Sequence, residues 1–139
     1  MISRVLVPMD GSDMSERALE YALEVHSEAD VTVLYVAGEP SPFMGEAARF
    51  ALDDDLESIA EERAETVFDR AREIAASRDA EIDTAVAVGH PARAIVSRAE
   101  NFDAVVIGSH GGSLTDRLFV GDVAKTVFRR SPVPVTVVR

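Results

Sequence analysis

Five short apolar runs, rich in valine and isoleucine, restrict the possible folds of this 139-residue chain more than any other feature. They lie at residues 5–8, 31–36, 82–88, 104–108 and 133–138. Most are continuously apolar rather than alternating, which is typical of strands buried on both faces of a parallel sheet. Segments with helical spacing separate them, as in repeated β-α-β units. The sequence therefore predicts one α/β domain over residues 1–139, with a doubly wound sheet of five parallel strands and four helices.

The four helical segments have recognisable starts. The first is predicted to have Ser12 or Asp13 as its N-cap, and the others to begin near Asp54, at Pro91 and after Gly121. On the first helix, the spacing places Ala18, Tyr21, Ala22 and Val25 on the inward face, and the last helix is predicted to bury Ala124, Val127 and Phe128. Residues 38–53 remain as an unusually long connection, and connections of that length are commonly functional or disordered.

Composition excludes several classes of protein. The 25 acidic and 14 basic residues give a net charge of −11, which repels nucleic acid, and no apolar run approaches the roughly 20 residues of a membrane span. The chain has no cysteine, and its first residues carry no signal-peptide pattern, so we expect a cytoplasmic protein without disulfides or thiolate metal sites. The dense carboxylates, with Lys125 as the single lysine, resemble those of a salt-adapted organism.

Three glycines lie between the fourth strand and the last helix. Gly108, Gly111 and Gly121 have the spacing G-x-x-G-x9-G. Glycine lets backbone N–H groups approach an anion closely, and the helix that follows presents unpaired donors and the positive end of its dipole. Such a loop at the carboxyl ends of parallel strands favours a phosphate site, although three glycines in a loop are also compatible with turns alone. The stretch is not a Walker A loop, because no G-K-[ST] follows the first glycine.

The order of several segments resembles the universal stress protein family. These segments are "VLVPMDGSDMSERAL", "VTVLYV", "GHPARAI" and "VIGSHGGSLTDRLFVGDVAKTVFRRSPVPVTVV", and they span the chain. The resemblance implies a Rossmann-like fold of the adenine nucleotide alpha hydrolase type, with strand order 3-2-1-4-5. One branch of the family binds ATP through G-x-x-G-x9-G-[ST], and another lacks the motif and does not bind ATP.

The resemblance also implies a set of site residues. The nucleotide-binding positions it predicts are Pro8, Met9, Asp10, Val36, Gly108, Ser109, His110, Gly111, Gly121 and Asp122. Within this set Asp10 is expected to contact the nucleotide or its Mg²⁺ or Mn²⁺ ion, and Val36 to contact adenine. No catalytic residue is predicted.

Asp122 departs from the ATP-binding pattern, which has Ser or Thr at this position. An ionised carboxylate cannot donate to a phosphate. At about 4 Å and an effective dielectric near 20, it would repel a phosphate charge by about 4 kcal/mol, which is roughly a thousandfold in affinity. Asp122 is also a favoured residue type for a helix N-cap. A bridging Mg²⁺ or Mn²⁺, or a shorter ligand such as AMP, would reconcile the carboxylate with a nucleotide site.

Three functions remain open. The first is a dimeric stress-response module with an ATP or AMP site that acts through conformation or partners. The second is a slow metal-dependent ATPase that uses Asp10 and Asp122, and the third is an interaction protein without a ligand. The apolar final strand, Val133 to Val138, is expected at a sheet edge, where a second chain can pair. Family resemblance implies that a homodimer forms there.

Overall fold

The computed structural model describes residues 1–38, 46–110 and 121–139, with the backbone alone for residues 46–57. Strands and helices alternate along these residues. The order is β1 (Arg4–Pro8), α1 (Asp13–Val25), β2 (Asp30–Ala37), α2 (Glu46–Ala76), β3 (Ile82–Val88), α3 (Pro91–Ala99), β4 (Ala104–Gly108), α4 (Asp122–Arg130) and β5 (Val135–Val138). The strands form one parallel sheet in the order β3-β2-β1-β4-β5, which confirms the predicted fold and strand order.

The central strands are buried on both faces, as their continuous apolar sequence predicts. In β1, Val5 and Val7 pack on the side of α1 and α2, whereas Leu6 packs on the side of α3 and α4. The edge strands β3 and β5 are less buried, and Val88 of β3 is 75% exposed. Two apolar layers therefore enclose a single sheet, with helices on each side.

Three predicted details of the helices are wrong. The helix α2 begins at Glu46 rather than near Asp54, so the second half of the predicted long connection is helical. Tyr21 and Val25 are exposed, because the buried stripe of α1 runs through Ala18, Leu19 and Ala22 instead. Phe128, predicted to be buried, is 64% exposed on α4. No helix in the described part of the chain is long and apolar enough to cross a membrane.

A carboxylate ties the beginnings of β1 and β4 together. The backbone N–H groups of Ser3 and Arg4 both donate to Oδ2 of Asp103, each at 2.9 Å. These two hydrogen bonds hold the pKa of the Asp103 carboxyl below its usual value, and the bond from Ser3 has the larger effect. Because the folded pKa is lowered, the contact stabilises the fold above the ordinary aspartate pKa of about 3.9, and this contribution is lost as the pH falls through the lowered value.

Candidate functional site

A cleft opens at the carboxyl ends of the central strands. It has a volume of about 290 Å³. Its residues come from the ends of β1, β2 and β4 and from the first turns of α1, α3 and α4: Pro8, Met9, Asp10, Ser12, Ser15, Leu34, Val36, Pro91, Ile95, Ile107, Gly108, His110, Gly121, Asp122, Val123 and Ala124. Since β1 pairs with both β2 and β4, the chain leaves the sheet here toward opposite faces. This is the position at which doubly wound sheets bind ligands.

The structure brings most of the predicted site residues together. The cleft is lined by Pro8, Met9, Asp10, Val36, Gly108, His110, Gly121 and Asp122. Ser109 lies beside them without lining the cleft, because its side chain is buried and 1% exposed. Gly111 lies outside the described residues, as do Phe43 and Met44 of the long connection.

Sequence reasoning missed the other half of the lining. The missed residues are Ser12, Ser15, Leu34, Pro91, Ile95, Ile107, Val123 and Ala124. All lie near strand ends or in the first turns of helices, where a parallel sheet gathers its loops. The start of α3 was detectable from the "GHPARAI" stretch, which we assigned to a helix start but not to the site.

Three of the described helices begin at this cleft, and they differ in how their N-termini are capped. At α1 the Ser12 hydroxyl oxygen accepts from the Ser15 N–H at 3.2 Å, and the Ser15 hydroxyl donates to the Ser12 carbonyl oxygen. Ser12 is therefore the N-cap, one of the two residues predicted. The N-caps of α3 and α4 are His90 and Gly121, and neither makes a side-chain capping bond. The N–H groups of a helix N-terminus and the positive end of its dipole favour an anion at these two helix starts.

Asp122 occupies the first position within α4. The residue flanking the helix start is Gly121, so the interpretation of Asp122 as the N-cap is wrong by one residue. The Asp122 side chain is exposed although it borders the cleft. A carboxylate in the first helical turn interacts favourably with the dipole, which gives Asp122 a stabilising role without a capping bond.

Asp10 is held by a tight turn before α1. Its Oδ1 accepts from the Ser12 N–H at 2.9 Å, and Gly11 adopts φ +85, in the left-handed region that favours glycine. One carboxylate oxygen of Asp10 is thus engaged by the turn. Within residues 1–38, 58–110 and 121–139, no group of three or more His, Asp or Glu side chains is arranged to hold a metal ion. A metal at Asp10 would therefore need most of its ligands from a nucleotide and water.

Packing against α1 requires a glycine at position 108, whether or not a ligand binds. A Cβ built at Gly108 would lie 2.9 Å from both Cγ and the carbonyl oxygen of Met14. The first turn of α1 therefore rests directly on the end of β4. Gly121 connects the start of α4 to the residue after β4, since its N–H donates to the carbonyl oxygen of Ser109. These contacts place the starts of α1 and α4 on either side of the β4 terminus.

The described side chains that line the cleft are mainly aliphatic, and the ionisable ones among them are Asp10, Asp122 and His110. Both ring nitrogens of His110 are shielded from solvent and have no hydrogen-bond partner among the described residues, and the Ser109 hydroxyl is in the same condition. No arginine or lysine lies among the described lining residues. Among the described residues, the helix N-termini and His110 are the groups that offer an anion favourable electrostatics here.

Comparison with known proteins gives the family. The sequence pattern of the universal stress protein family matches residues 1–139. A universal stress protein of Methanocaldococcus jannaschii is 32% identical to this chain, in an alignment covering all of this chain and 83% of the relative.

Solved structures agree with this assignment. The universal stress protein UspA from Lactobacillus plantarum is similar with a TM-score of 0.81 and 26% identity, over 99% of this chain and 98% of that one. A universal stress protein in complex with cAMP is similar with a TM-score of 0.66 and 28% identity, over 99% of this chain and 97% of that one. The chain belongs to the universal stress protein family.

Proposed function

We propose that this member of the universal stress protein family binds an adenine mononucleotide in the cleft and acts as a nucleotide-responsive stress module. The observation that carries the proposal is the combination of an aliphatic wall with two helix starts at which no described side chain makes a capping bond. An apolar wall suits a base, and free helix N–H groups suit a phosphate.

The aliphatic wall supports the base-binding part of the proposal. Leu34 and Val36 contribute from β2, Ile107 from β4 and Ile95 from α3. Leu34 and Ile95 are fully or almost fully buried, whereas Val36 is half-buried at the strand end. Since ligand pockets are mostly apolar with a few polar groups that fix orientation, this wall is a suitable surface for adenine.

Volume and charge favour a mononucleotide over ATP. The cleft of about 290 Å³ is at the lower end of the roughly 300–1,000 Å³ usual for small-molecule sites. Asp10 and Asp122 border it, so every additional phosphate charge adds repulsion. The cAMP complex of the related universal stress protein is consistent with a ligand that carries one phosphate.

Titration calorimetry in molar salt tests the proposal with AMP, cAMP and adenosine. Both nucleotides are expected to bind the wild-type protein at micromolar concentration. Val36→Gln, which places an amide in the apolar wall, is expected to weaken binding by about tenfold, since burying a valine contributes at least about 1.5 kcal/mol. Val86→Gln is the matched control, because Val86 lies on the neighbouring strand, is 45% exposed and does not line the cleft. The absence of binding up to millimolar nucleotide would contradict the proposal.

The edge strand β5 supports a homodimer as the second part of the proposal. Val135–Val138 are all partly exposed, and β5 is paired on one side by β4. Pro132 and Pro134 remove donors before this strand, so the section able to pair with a second copy begins at Val135. Light scattering at micromolar protein in molar salt is expected to give the mass of two chains. A Val137→Asp variant should give the mass of one chain, and a wild-type mass near 15.0 kDa would contradict the dimer.

A further inference from the structure

His110 is a polar side chain that the fold leaves without a described partner. Both ring nitrogens are shielded from solvent and make no hydrogen bond to the described residues, and His110 is one of the residues that line the cleft. A Cβ built on Gly121 would lie 3.7 Å from the Cβ of His110, so the side chain begins beside the first turn of α4. Buried polar groups nearly always have a partner in the protein, in bound water or in a ligand. His110 is therefore positioned to interact with a ligand group at the start of α4.

The charges around the cleft bear on how His110 would interact with a bound anion. Asp10 from the turn after β1 and Asp122 from α4 both border it. A phosphate bound in the cleft would add a further negative charge. Among the described lining residues, His110 is the side chain that can become cationic near neutral pH.

We propose that His110 takes up a proton when a nucleotide phosphate binds in the cleft, so that nucleotide affinity rises as the pH falls. The inference rests on the proposed function, because it requires a phosphate in this cleft. The physical cause is that an anion within about 4–6 Å of an imidazole favours its protonated form. Thermodynamic linkage then requires the protonated form to bind the anion more tightly.

Other charged groups near these elements are placed differently. His90 precedes α3 and is exposed, and Arg139 follows β5, whose Val138 carbonyl oxygen accepts from the Ser109 N–H. Neither His90 nor Arg139 lines the cleft. The two carboxylates that do line it are Asp10 and Asp122.

The test uses cAMP, because its phosphodiester does not titrate near neutral pH, whereas a phosphomonoester such as AMP has a second pKa of about 6. Calorimetric titrations between pH 5.5 and 8.0 in molar salt are expected to show about tenfold weaker cAMP binding at the upper end, corresponding to a shift of one pKa unit on binding. Paired buffers with different ionisation heats should reveal fractional proton uptake at neutral pH. Adenosine, which has no phosphate, should bind with an affinity that does not change with pH.

Two variants assign the effect. His110→Gln should abolish both the pH dependence and the proton uptake for cAMP, whereas His26→Gln should keep both, because His26 lies at the opposite end of α1 from the cleft. An unchanged pH profile in His110→Gln, or no proton uptake by the wild type, would overturn the inference while leaving the proposed function intact. A failure of cAMP, AMP and adenosine to bind at any pH would overturn the proposed function, and the inference with it.

A measurement on the wild-type protein covers the case in which His110→Gln does not fold. The chain has three histidines, so its imidazole signals can be followed individually by nuclear magnetic resonance. Saturating cAMP is expected to raise the titration midpoint of one signal by about one pH unit and to leave the other two unchanged. Three unchanged midpoints in the presence of bound cAMP would overturn the inference.

Discussion

Replacing Gly108 with alanine is expected to lower the free energy of unfolding by about 3 kcal/mol, the upper end of the usual cost of overpacking. The added Cβ would lie 2.9 Å from the carbonyl oxygen of Met14 and 3.0 Å from its carbonyl carbon. These are backbone atoms of the first turn of α1, so they cannot give way as a flexible side chain would. The conflict must be relieved by moving α1 away from β4, which opens the buried layer beneath that helix.

Gly38→Ala is the matched control. Gly38 also follows a central strand, and a Cβ there would have nothing within 4 Å. Thermal unfolding should show a midpoint lower by about 10 °C for Gly108→Ala and a nearly unchanged midpoint for Gly38→Ala. If Gly108 served the ligand alone, Gly108→Ala would keep the wild-type midpoint and lose nucleotide affinity, and that result would contradict the packing role.

A glycine motif is weak evidence for a ligand, because the same glycines can be required by packing. At Gly108 the requirement for glycine comes from the approach of α1 to β4, which operates without any nucleotide. At Gly121 the backbone N–H is already committed to Ser109. The glycines at positions 108 and 121 are therefore explained by the packing of α1 and α4 around β4. The phosphate-binding interpretation needs separate support, which comes from the helix N-termini at the cleft and from the cleft itself.

The sheet could be predicted because its signal is local. Continuous runs such as "VLVP" and "AVVIG" have the apolar character that burial on two faces demands, and four of the five strand assignments agree with the structure to within one residue at each end. The fifth begins at Val135 rather than Val133, since Pro134 lacks the N–H needed for strand pairing. Strand order came from the family resemblance, because pairing between distant strands leaves no signal in local periodicity.

The helix faces were harder to predict than the strands. Tyr21 and Val25 fit the helical spacing as well as Leu19 does, and the choice between two neighbouring stripes depends on how α1 crosses the sheet. Phe128 is large and apolar, yet it lies outside the layer that Ala124 and Val127 close on α4. Position relative to the sheet, rather than hydrophobicity alone, decided these three cases.

The site was half predictable for a related reason. Val36 lies at the end of a strand and Asp10 lies just after one, so both topology and resemblance identify them. The first turns of α3 and α4 enter the same cleft from other parts of the chain, and Ile95 and Val123 carry no mark in the sequence that separates them from ordinary core or surface residues. Their role depends on where the helices begin in three dimensions.

Replacing Asp122 with serine is expected to strengthen ATP binding by about tenfold in the absence of divalent metal. The sequence alone predicts a thousandfold effect, with an effective dielectric near 20. Because the Asp122 side chain is exposed, a dielectric closer to that of water applies, and the repulsion at about 4 Å falls to about 1 kcal/mol for each phosphate charge nearby. One such charge on the nearest phosphate, with a hydrogen bond from serine worth about 0.5 kcal/mol, gives a gain of this size, whereas adenosine binding should not change.

The control for Asp122→Ser is Asp13→Ser. Asp13 is likewise the first residue of its helix and exposed, but it does not line the cleft. Both substitutions remove a favourable contact between a carboxylate and a helix dipole, worth about 0.3–1 kcal/mol, so the two variants should lose similar stability. The change in ATP affinity should be confined largely to Asp122→Ser, and equal gains in both variants would attribute it to net charge rather than to the site.

Repeating the titration with Mg²⁺ separates two roles for Asp122. If the carboxylate simply repels the terminal phosphates, Asp122→Ser strengthens ATP binding with or without the metal. If Asp122 holds a metal ion against those phosphates, the same substitution weakens binding in Mg²⁺, because a bridging ligand is lost. The sign of the change in affinity thus distinguishes a cleft suited to mononucleotides from one that accepts ATP together with a metal. We expect stronger binding in both conditions, because Asp122 is exposed and no described cluster of metal-binding side chains surrounds it.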